Sequence, residues 1–251
     1  MSLVPWGIWA SSGGGGVPAF LSSAPLWLDA SDSATITQSD GSVSQWNNKG
    51  TLENFVQDSG SLQPLTGSAT INGLNAIQFS ADIMGASTAS DWAFLNNGET
   101  YFFAIVLRTP TDKFVNFATQ SASAGVGAQF LLGNYYTFFR IFRGVGGSYI
   151  NVDLGDGAVG TSAIIYSGLS DADSATASEK AQLRINDGSA STNSNNVSPS
   201  TSDPGYAFRI GLEDSDLLGD LGEVIIVSGE DATETNRQLV ENYLNAKWSV
   251  F

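Results

Sequence analysis

The sequence predicts an all-β domain of antiparallel strands, closed near its C-terminal end by one amphipathic helix. Three observations predict it. Short runs of aromatic and β-branched residues recur, among them TYFFAIVL (100–107), YYTFFRIF (135–142) and GEVIIV (222–227). Segments rich in Gly, Ser, Asn and Asp separate them, as many short strands joined by turns require. A convincing helical period occurs in one place, where Leu239, Val240, Tyr243, Leu244 and Trp248 form an apolar stripe.

Residues 1–20 (MSLVPWGIWASSGGGGVPAF) stand apart from the domain at 21–251. Trp6, Ile8 and Trp9 precede four glycines, Gly13 to Gly16, which suit neither a helix nor a packed strand. This reads as an aromatic anchoring arm that docks on a neighbouring subunit; the alternative is that it folds back on its own domain. It is not a phosphate loop, since no Lys-Ser/Thr follows the glycines.

Leu26 and Leu28 alternate with Trp27 in a first strand, Asp40-Gly41 marks a tight turn, and Val43–Trp46 begins another strand. Trp27 and Trp46 read as core aromatics. Strands follow at Ile71, Asn75–Phe79 and Thr100–Leu107. In the last, Tyr101, Phe103, Ile105 and Leu107 share one face and Phe102, Ala104 and Val106 the other, so this strand is central and covered on both sides. The loop Ala81–Asn97 carries Trp92 and Phe94 and reads as a lid or a contact surface.

Residues 128–169 hold the densest strand signal, with hairpin turns expected at Asn134, Gly144 to Gly147 and Asp156-Gly157. Arg140 and Arg143 interleave with Phe138, Phe139 and Phe142; polar residues facing water or pairing with acids explain this better than base stacking. A strand is expected at Ala181–Ile185, a long loop or hairpin tip at Asn186–Gly205, and a further strand at Tyr206–Leu212. Leu221 and Val224–Val227, bounded by Gly219 and Gly229, suit a buried strand. Asp231 and Glu234 have capping-box spacing for the helix that follows.

Two blocks carry a family resemblance. The front block is Pro25-Leu26-Trp27-Leu28-Asp29-Ala30-Ser31-Asp32 with Gly41–Lys49 (GSVSQWNNK), followed by Asn75–Phe79. The rear block is the Gly-Asp-Leu-Gly-Glu-Val-Ile strand and a helix ending Tyr243-Leu244-Asn245-Ala246-Lys247-Trp248. Together they resemble laminin-G-like, concanavalin A-like domains of phage and bacterial proteins. The resemblance spans about residues 24–251 and implies a concanavalin A-like jelly-roll sandwich of two antiparallel sheets, with the first strand beside the C-terminal one. It says little about activity.

Of 251 residues, 42% are hydrophobic and only 14% charged, with a formal net charge of −15. Such acidity repels polyanions, which argues against a nucleic-acid partner. No apolar run approaches the ~20 residues that span a bilayer. No Lys or Arg precedes Lys49, and Pro5 and Trp6 interrupt the first apolar run, so a secretory leader is not expected. A product of a host cytoplasm, assembled into a virion, is the expectation.

With no His and no Cys, Ser-His-Asp and Cys-His catalysis and His-ligated metals are excluded. Carboxylate hydrolysis needs two acids ~5–5.5 Å apart for retention. The nearest candidates, Glu213-Asp214-Ser215-Asp216 and Glu230-Asp231 with Glu234, do not alternate along an apolar strand. No enzyme is expected, and no cofactor. Calcium, which many laminin-G-like domains bind, has candidate pairs in Asp29 with Asp32, Asp153 with Asp156, and Asp214 with Asp216. None supplies the six to eight oxygens required. Candidate glycan contacts are Trp92, Tyr135, Tyr136 and Tyr149, with Asn134 or Asn151.

The sequence therefore points to a non-catalytic structural or adhesion protein of a bacteriophage virion, a head decoration or tail-fibre component. Trp6, Ile8 and Trp9 would bind other virion proteins, a homo-oligomer such as a trimer is expected, and a cell-surface glycan is the candidate ligand. The alternative is a carbohydrate-binding module of a bacterial surface or secreted protein.

Overall fold

The computed structural model describes residues 16–119, 125–143, 149–155, 160–211 and 218–251. Trp6, Ile8, Trp9, Asp156, Glu213, Asp214 and Asp216 lie outside the described residues. In chain order the strands are β1 (Leu26–Asp29), β2 (Ile36–Ser39), β3 (Ser42–Trp46), β4 (Phe55–Val56), β5 (Leu65–Ile71), β6 (Leu74–Ser80), β7 (Ile83–Gly85), β8 (Tyr101–Arg108) and β9 (Phe114–Ala118). They continue with β10 (Val126–Gly133), β11 (Phe138–Arg143), β12 (Tyr149–Asp153), β13 (Ile164–Ser170), β14 (Gln182–Ile185), β15 (Ser191–Thr192), β16 (Arg209–Gly211) and β17 (Leu218–Ser228). The helices are α1 (Ala177–Lys180) and α2 (Glu234–Trp248).

The strands build a two-sheet antiparallel sandwich of jelly-roll type, and β17 is the spine of its first sheet. Along one edge β17 pairs with β8, from Asp220↔Arg108 to Ser228↔Tyr101. Its other edge is shared: Leu218–Leu221 pair with β6, and Glu223–Ile226 pair with β1, Leu26 opposite Ile226. β13 and β14 extend the sheet beyond β8, and β5 extends it beyond β6. The first strand thus lies beside the last. The second sheet runs β2, β3, β4, β7, β16, β9, β10, β11, β12.

Alternation along β8 explains the layering. Tyr101, Phe103, Ile105 and Leu107 enter the core between the sheets, where Phe117, Phe130, Phe139 and Val224 meet them. Phe102, Ala104 and Val106 face the other way, into a second apolar layer under α2 with Val240, Tyr243, Leu244 and Trp248. A strand covered on both sides has to be apolar on both. Phe20 and Leu21 pack into this same helix-side layer.

Two-residue hairpins form where Asp and Asn precede Gly. Asp40-Gly41 and Asn72-Gly73 take positive φ at both positions (50° and 88°; 48° and 88°), the geometry that matches strand twist. At Gly222 the register of β17 slips between Leu221 and Glu223. A Cβ there would lie 3.0 Å from the Trp248 ring, so glycine at this bulge lets the helix pack closely without displacing Trp248.

Several expectations are corrected. The N-cap of α2 is Thr233, whose side chain accepts from Asn236 N (3.2 Å), not Asp231. Asp231 sits in a separate 3-10 turn, and Glu234 turns to Arg237 instead of back to a cap. Leu239 is 49% exposed; Arg237 and Glu241 take places in the buried stripe. Trp92 is 0% exposed, because the 3-10 helix Ala89–Leu95 inserts Trp92, Phe94 and Leu95 into the sandwich. Trp92 stacks on Phe208 at 4.9 Å and meets Phe55 edge-on at 6.1 Å. The segment is therefore a plug, and Trp92 is unavailable to a glycan. Asn186–Gly205 contains the two-residue strand β15, and the strand expected from Tyr206 to Leu212, whose last residue lies outside the described residues, starts only at Arg209, since Tyr206 N bonds Thr119 O outside the ladder.

Candidate functional site

Strands β9 to β12 alternate cleanly. Val115, Phe117, Ala128, Phe130, Leu132, Phe139, Ile141, Ile150 and Val152 point into the core. Their neighbours face outward, away from the first sheet, and the register arranges them in rows. One row is Asn116, Leu131, Phe138, Asp153; the next is Ala118, Gln129, Arg140, Asn151; Phe142 and Tyr149 are paired beyond. β16 adds Arg209 to the second row, opposite Ala118.

These rows floor a cleft of about 540 Å³ lined by Phe114, Leu131, Tyr136, Phe138, Arg140, Asp153 and Gly155. Its wall is aromatic. Tyr135 stacks on Phe114 (6.5 Å) and touches Tyr136 (4.1 Å), whose ring also meets Phe114 edge-on at 5.9 Å. Beside it lies a fixed polar edge. The Arg140 guanidinium sits 3.8 Å from the Phe138 ring centroid and 5.2 Å from that of Tyr149. Nε donates to Asn151 Oδ1 (2.8 Å) and Nη2 to Asp153 Oδ2 (2.9 Å), while Asp153 Oδ1 accepts from Gly155 N (2.9 Å). On the same face, Gln129 Nε2 donates to Asn116 Oδ1 (2.8 Å). Apolar rings next to oriented donors suit a ring with one apolar face and a polar rim.

Of the four glycan candidates, the structure brings Tyr135 and Tyr136 together at the cleft and places Tyr149 beside Arg140 and Phe142, outside the cleft's lining; Trp92 is in the core. Asn151 contributes by holding Arg140. Asn134 braces the turn below, accepting from Asp112 N (3.1 Å). The expected pairing of interleaved arginine with an acid is seen at Arg140–Asp153.

Among the described residues, four of the carboxylate candidates are engaged by cations. Asp29 and Asp32 converge on Lys49 Nζ (3.3 and 2.9 Å), Asp153 is held by Arg140, and Glu234 by Arg237 and Arg184. Among the described residues no group of three or more metal-ligating side chains occurs.

What sequence reasoning missed is a buried carboxylate at the junction of the two resembling blocks. Glu223 is 0% exposed on the helix side of β17. Its Oε1 accepts from Trp27 Nε1 (2.7 Å) and Tyr243 OH (2.9 Å), and its Oε2 from Lys247 Nζ (2.7 Å) and Trp248 Nε1 (2.8 Å). Lys247 also reaches Asp29 Oδ1 (2.7 Å), and Lys49 lies 4.4 Å over the Trp27 ring. Burial pushes the Asp29 carboxyl up, but hydrogen bonds from Lys247 and Ser31 and the two lysine charges outweigh it and hold it below its usual value. Burial and the Glu223 charge push the Tyr243 phenol up. The motif residues Trp27, Asp29, Lys49, Glu223, Tyr243, Lys247 and Trp248 therefore form one stabilising network. A second, Arg237 with Glu241 and Ser167, ties α2 to β13. The i,i+4 spacing of Arg237 and Glu241 was its one visible signal.

No family model matches the sequence, and no curated protein matches it. Solved structures do match. The botulinum neurotoxin serotype D binding domain aligns with a TM-score of 0.54 at 11% identity, over 88% of this chain and 51% of that one. An arabinofuranosidase complexed with arabinofuranosyl-α-1,2-xylobiose aligns at 0.52 and 14%, over 90% and 60%. The binding domain of botulinum neurotoxin serotype D/C VPI 5993 aligns at 0.51 and 9%, over 89% and 53%. The likeness is one of fold. This chain spans about half to three fifths of the length of those structures.

Proposed function

We propose that this chain is a non-catalytic virion structural module that presents a glycan-contacting face. The observation that carries the reading is the cleft on the outer face of the second sheet, where Phe114, Tyr135, Tyr136 and Phe138 adjoin the Arg140–Asn151–Asp153 array. The arabinofuranosidase of similar fold, complexed with arabinofuranosyl-α-1,2-xylobiose, agrees with this use of the fold.

Two further features support the reading. Among the described lining residues the cleft holds a single carboxylate, Asp153, already paired with Arg140; hydrolysis of a glycosidic bond by the usual route needs two. Phe20 and Leu21, where the anchoring arm joins the domain, pack in the helix-side layer. The first sheet and the inter-sheet core separate that junction from the cleft, and the arm's partners under this reading are other virion proteins, or copies of the chain in a cyclic trimer, bound through Trp6, Ile8 and Trp9.

The test uses the full chain on a glycan array. Saturable binding that falls at least tenfold in Tyr136→Ala, with an unchanged melting temperature, supports the cleft; a Tyr136→Ala protein that binds as the parent does refutes it. Trp6→Ser with Trp9→Ser should abolish incorporation into particles and leave glycan binding intact. Retained incorporation would refute the arm as the anchor, and a parent chain that never incorporates would favour a free-standing carbohydrate-binding module of a bacterial protein.

A further inference from the structure

The charge of the cleft closes on itself. Among the described residues its lining carries one cation and one anion, Arg140 and Asp153, paired at 2.9 Å. Arg140 is further engaged by Asn151 at Nε and sits 3.8 Å over the Phe138 ring. Such a pair exerts no net pull on an ion of either sign, while the whole chain, at −15, repels anions. What the pair leaves is a fixed acceptor. The Asp153 side chain is 40% exposed, and Arg140 Nη2 on Oδ2 and Gly155 N on Oδ1 hold both of its oxygens in place, each at 2.9 Å. A carboxylate has about four lone-pair sites, two on each oxygen. Among the described residues these two bonds take one site on each, so each oxygen keeps another. Beside this acceptor, Tyr136 is the ring of the lining most open to solvent, 36% exposed, whereas Phe114, Leu131 and Phe138 are buried.

Resting on the cleft reading, we infer that the ligand is an uncharged sugar, a pyranose that lays its C–H face on Tyr136 and donates two adjacent hydroxyls to Asp153, one to each oxygen. The two oxygens of one carboxylate are spaced to accept from neighbouring hydroxyls of a ring. Their positions are preset by Arg140 and Gly155, which spares the cost of ordering them on binding. Hydrogen bonds to an ionised acceptor are the stronger kind. A uronate or sialate would bring its own carboxylate against Asp153 with Arg140 already engaged, and a protonated amino sugar would meet the Arg140 guanidinium beside the acceptor. Asp153 therefore sets specificity, and Arg140, Asn151 and Gly155 position it. The cleft volume of about 540 Å³ falls within the ~300–1,000 Å³ of small-ligand sites.

The experiment titrates the full-length protein with neutral hexose polysaccharides and with uronate polymers, each uronate beside its carboxyl-reduced neutral form. At least one neutral polymer should bind, with an affinity nearly independent of salt. At least one reduced form should bind about ten or more times tighter than the uronate it came from, a decade being 1.4 kcal/mol. Asp153→Asn keeps one acceptor and turns an NH2 group toward the other hydroxyl; it should weaken the neutral ligand about tenfold and narrow its advantage over the uronate. Because the Arg140–Asp153 pair is part-exposed, the melting temperature should move little. Uronates that bind as tightly as their reduced forms, or tighter, overturn the inference and leave the cleft reading in place. So does an Asp153→Asn protein that binds neutral sugar as the parent does while Tyr136→Ala weakens it. The comparison of uronate with reduced form runs on the parent chain, so a misfolded Asp153→Asn protein does not shield the inference. Failure to bind any glycan, neutral or acidic, removes both readings.

Discussion

Replacing Glu223 by Gln tests whether the buried network holds the domain together. The carboxylate serves four donors within 2.9 Å, two per oxygen, and none of it reaches solvent. A Gln side chain keeps one acceptor oxygen and turns an NH2 group toward the other pair. Whichever way it is oriented, either Trp27 and Tyr243 or Lys247 and Trp248 face a donor. Each buried donor left without an acceptor costs about 1–3 kcal/mol, and breaking a buried charge pair by removing one partner costs about 3–5 kcal/mol. Because Asp29 still faces Lys247 (2.7 Å), the expected loss is about 4 kcal/mol. For a chain of this size, about 2–4 °C of melting temperature accompanies each kcal/mol, so a fall of roughly 10 °C should be seen by calorimetry. Trp27→Phe, which removes one donor and keeps the carboxylate, should fall by less than half as much. A Glu223→Gln protein melting within about 3 °C of the parent would refute the reasoning.

Other outcomes follow from the same geometry. Asp29 is held below its usual value of 3.8, so its contribution is complete at neutral pH and is lost as the pH falls through the depressed value; Asp29→Asn should lower the neutral-pH melting temperature and flatten its decline between about pH 5 and 2. Thr233→Ala should cost about 1 kcal/mol in urea titration, whereas Asp231→Ala should leave the midpoint nearly unchanged. Gly168→Ala should destabilise by at least 1–3 kcal/mol, roughly the cost of overpacking, since a methyl there would press on Gln182 O and the Phe103 ring; an unchanged midpoint would place that strand pair elsewhere. Trp92→Ala should cost about 3–5 kcal/mol, with glycan affinity of the folded fraction unaltered.

Legibility followed periodicity. Both faces of β8 were readable residue by residue, because strict alternation over seven positions admits one arrangement once both faces are apolar. The jelly-roll architecture and the pairing of β1 with β17 came from the two resembling blocks, and the network around Glu223 shows what those blocks do. Trp92 misled because a 3-10 segment carries no period that separates an inserted aromatic from an exposed one. Leu239 misled because a hydropathy stripe takes an exposed leucine over a buried arginine; Arg237 is buried by meeting Glu234, Glu241 and Ser167, and Glu241 by meeting Arg237 and Ser167. At the cleft, the aromatics of β11 were visible. Convergence of Phe114, Tyr136 and Asp153 depended on a register across three hairpins that local sequence does not encode.

The position of β17 also governs how the chain is made. It holds the centre of the first sheet, yet it follows more than 200 residues of other sequence, and β1 waits for it across the span from Leu26 to Ile226. At ribosomal rates of ~5–20 residues per second that interval is roughly 10–40 s. For the last part of it, from Arg108 onward, β8, apolar on both faces, has neither its β17 neighbour nor the cover of α2. Nascent chains should therefore depend on a holding chaperone until residue 248 has emerged, and stalling translation before β17 should yield aggregates instead of a partly folded domain.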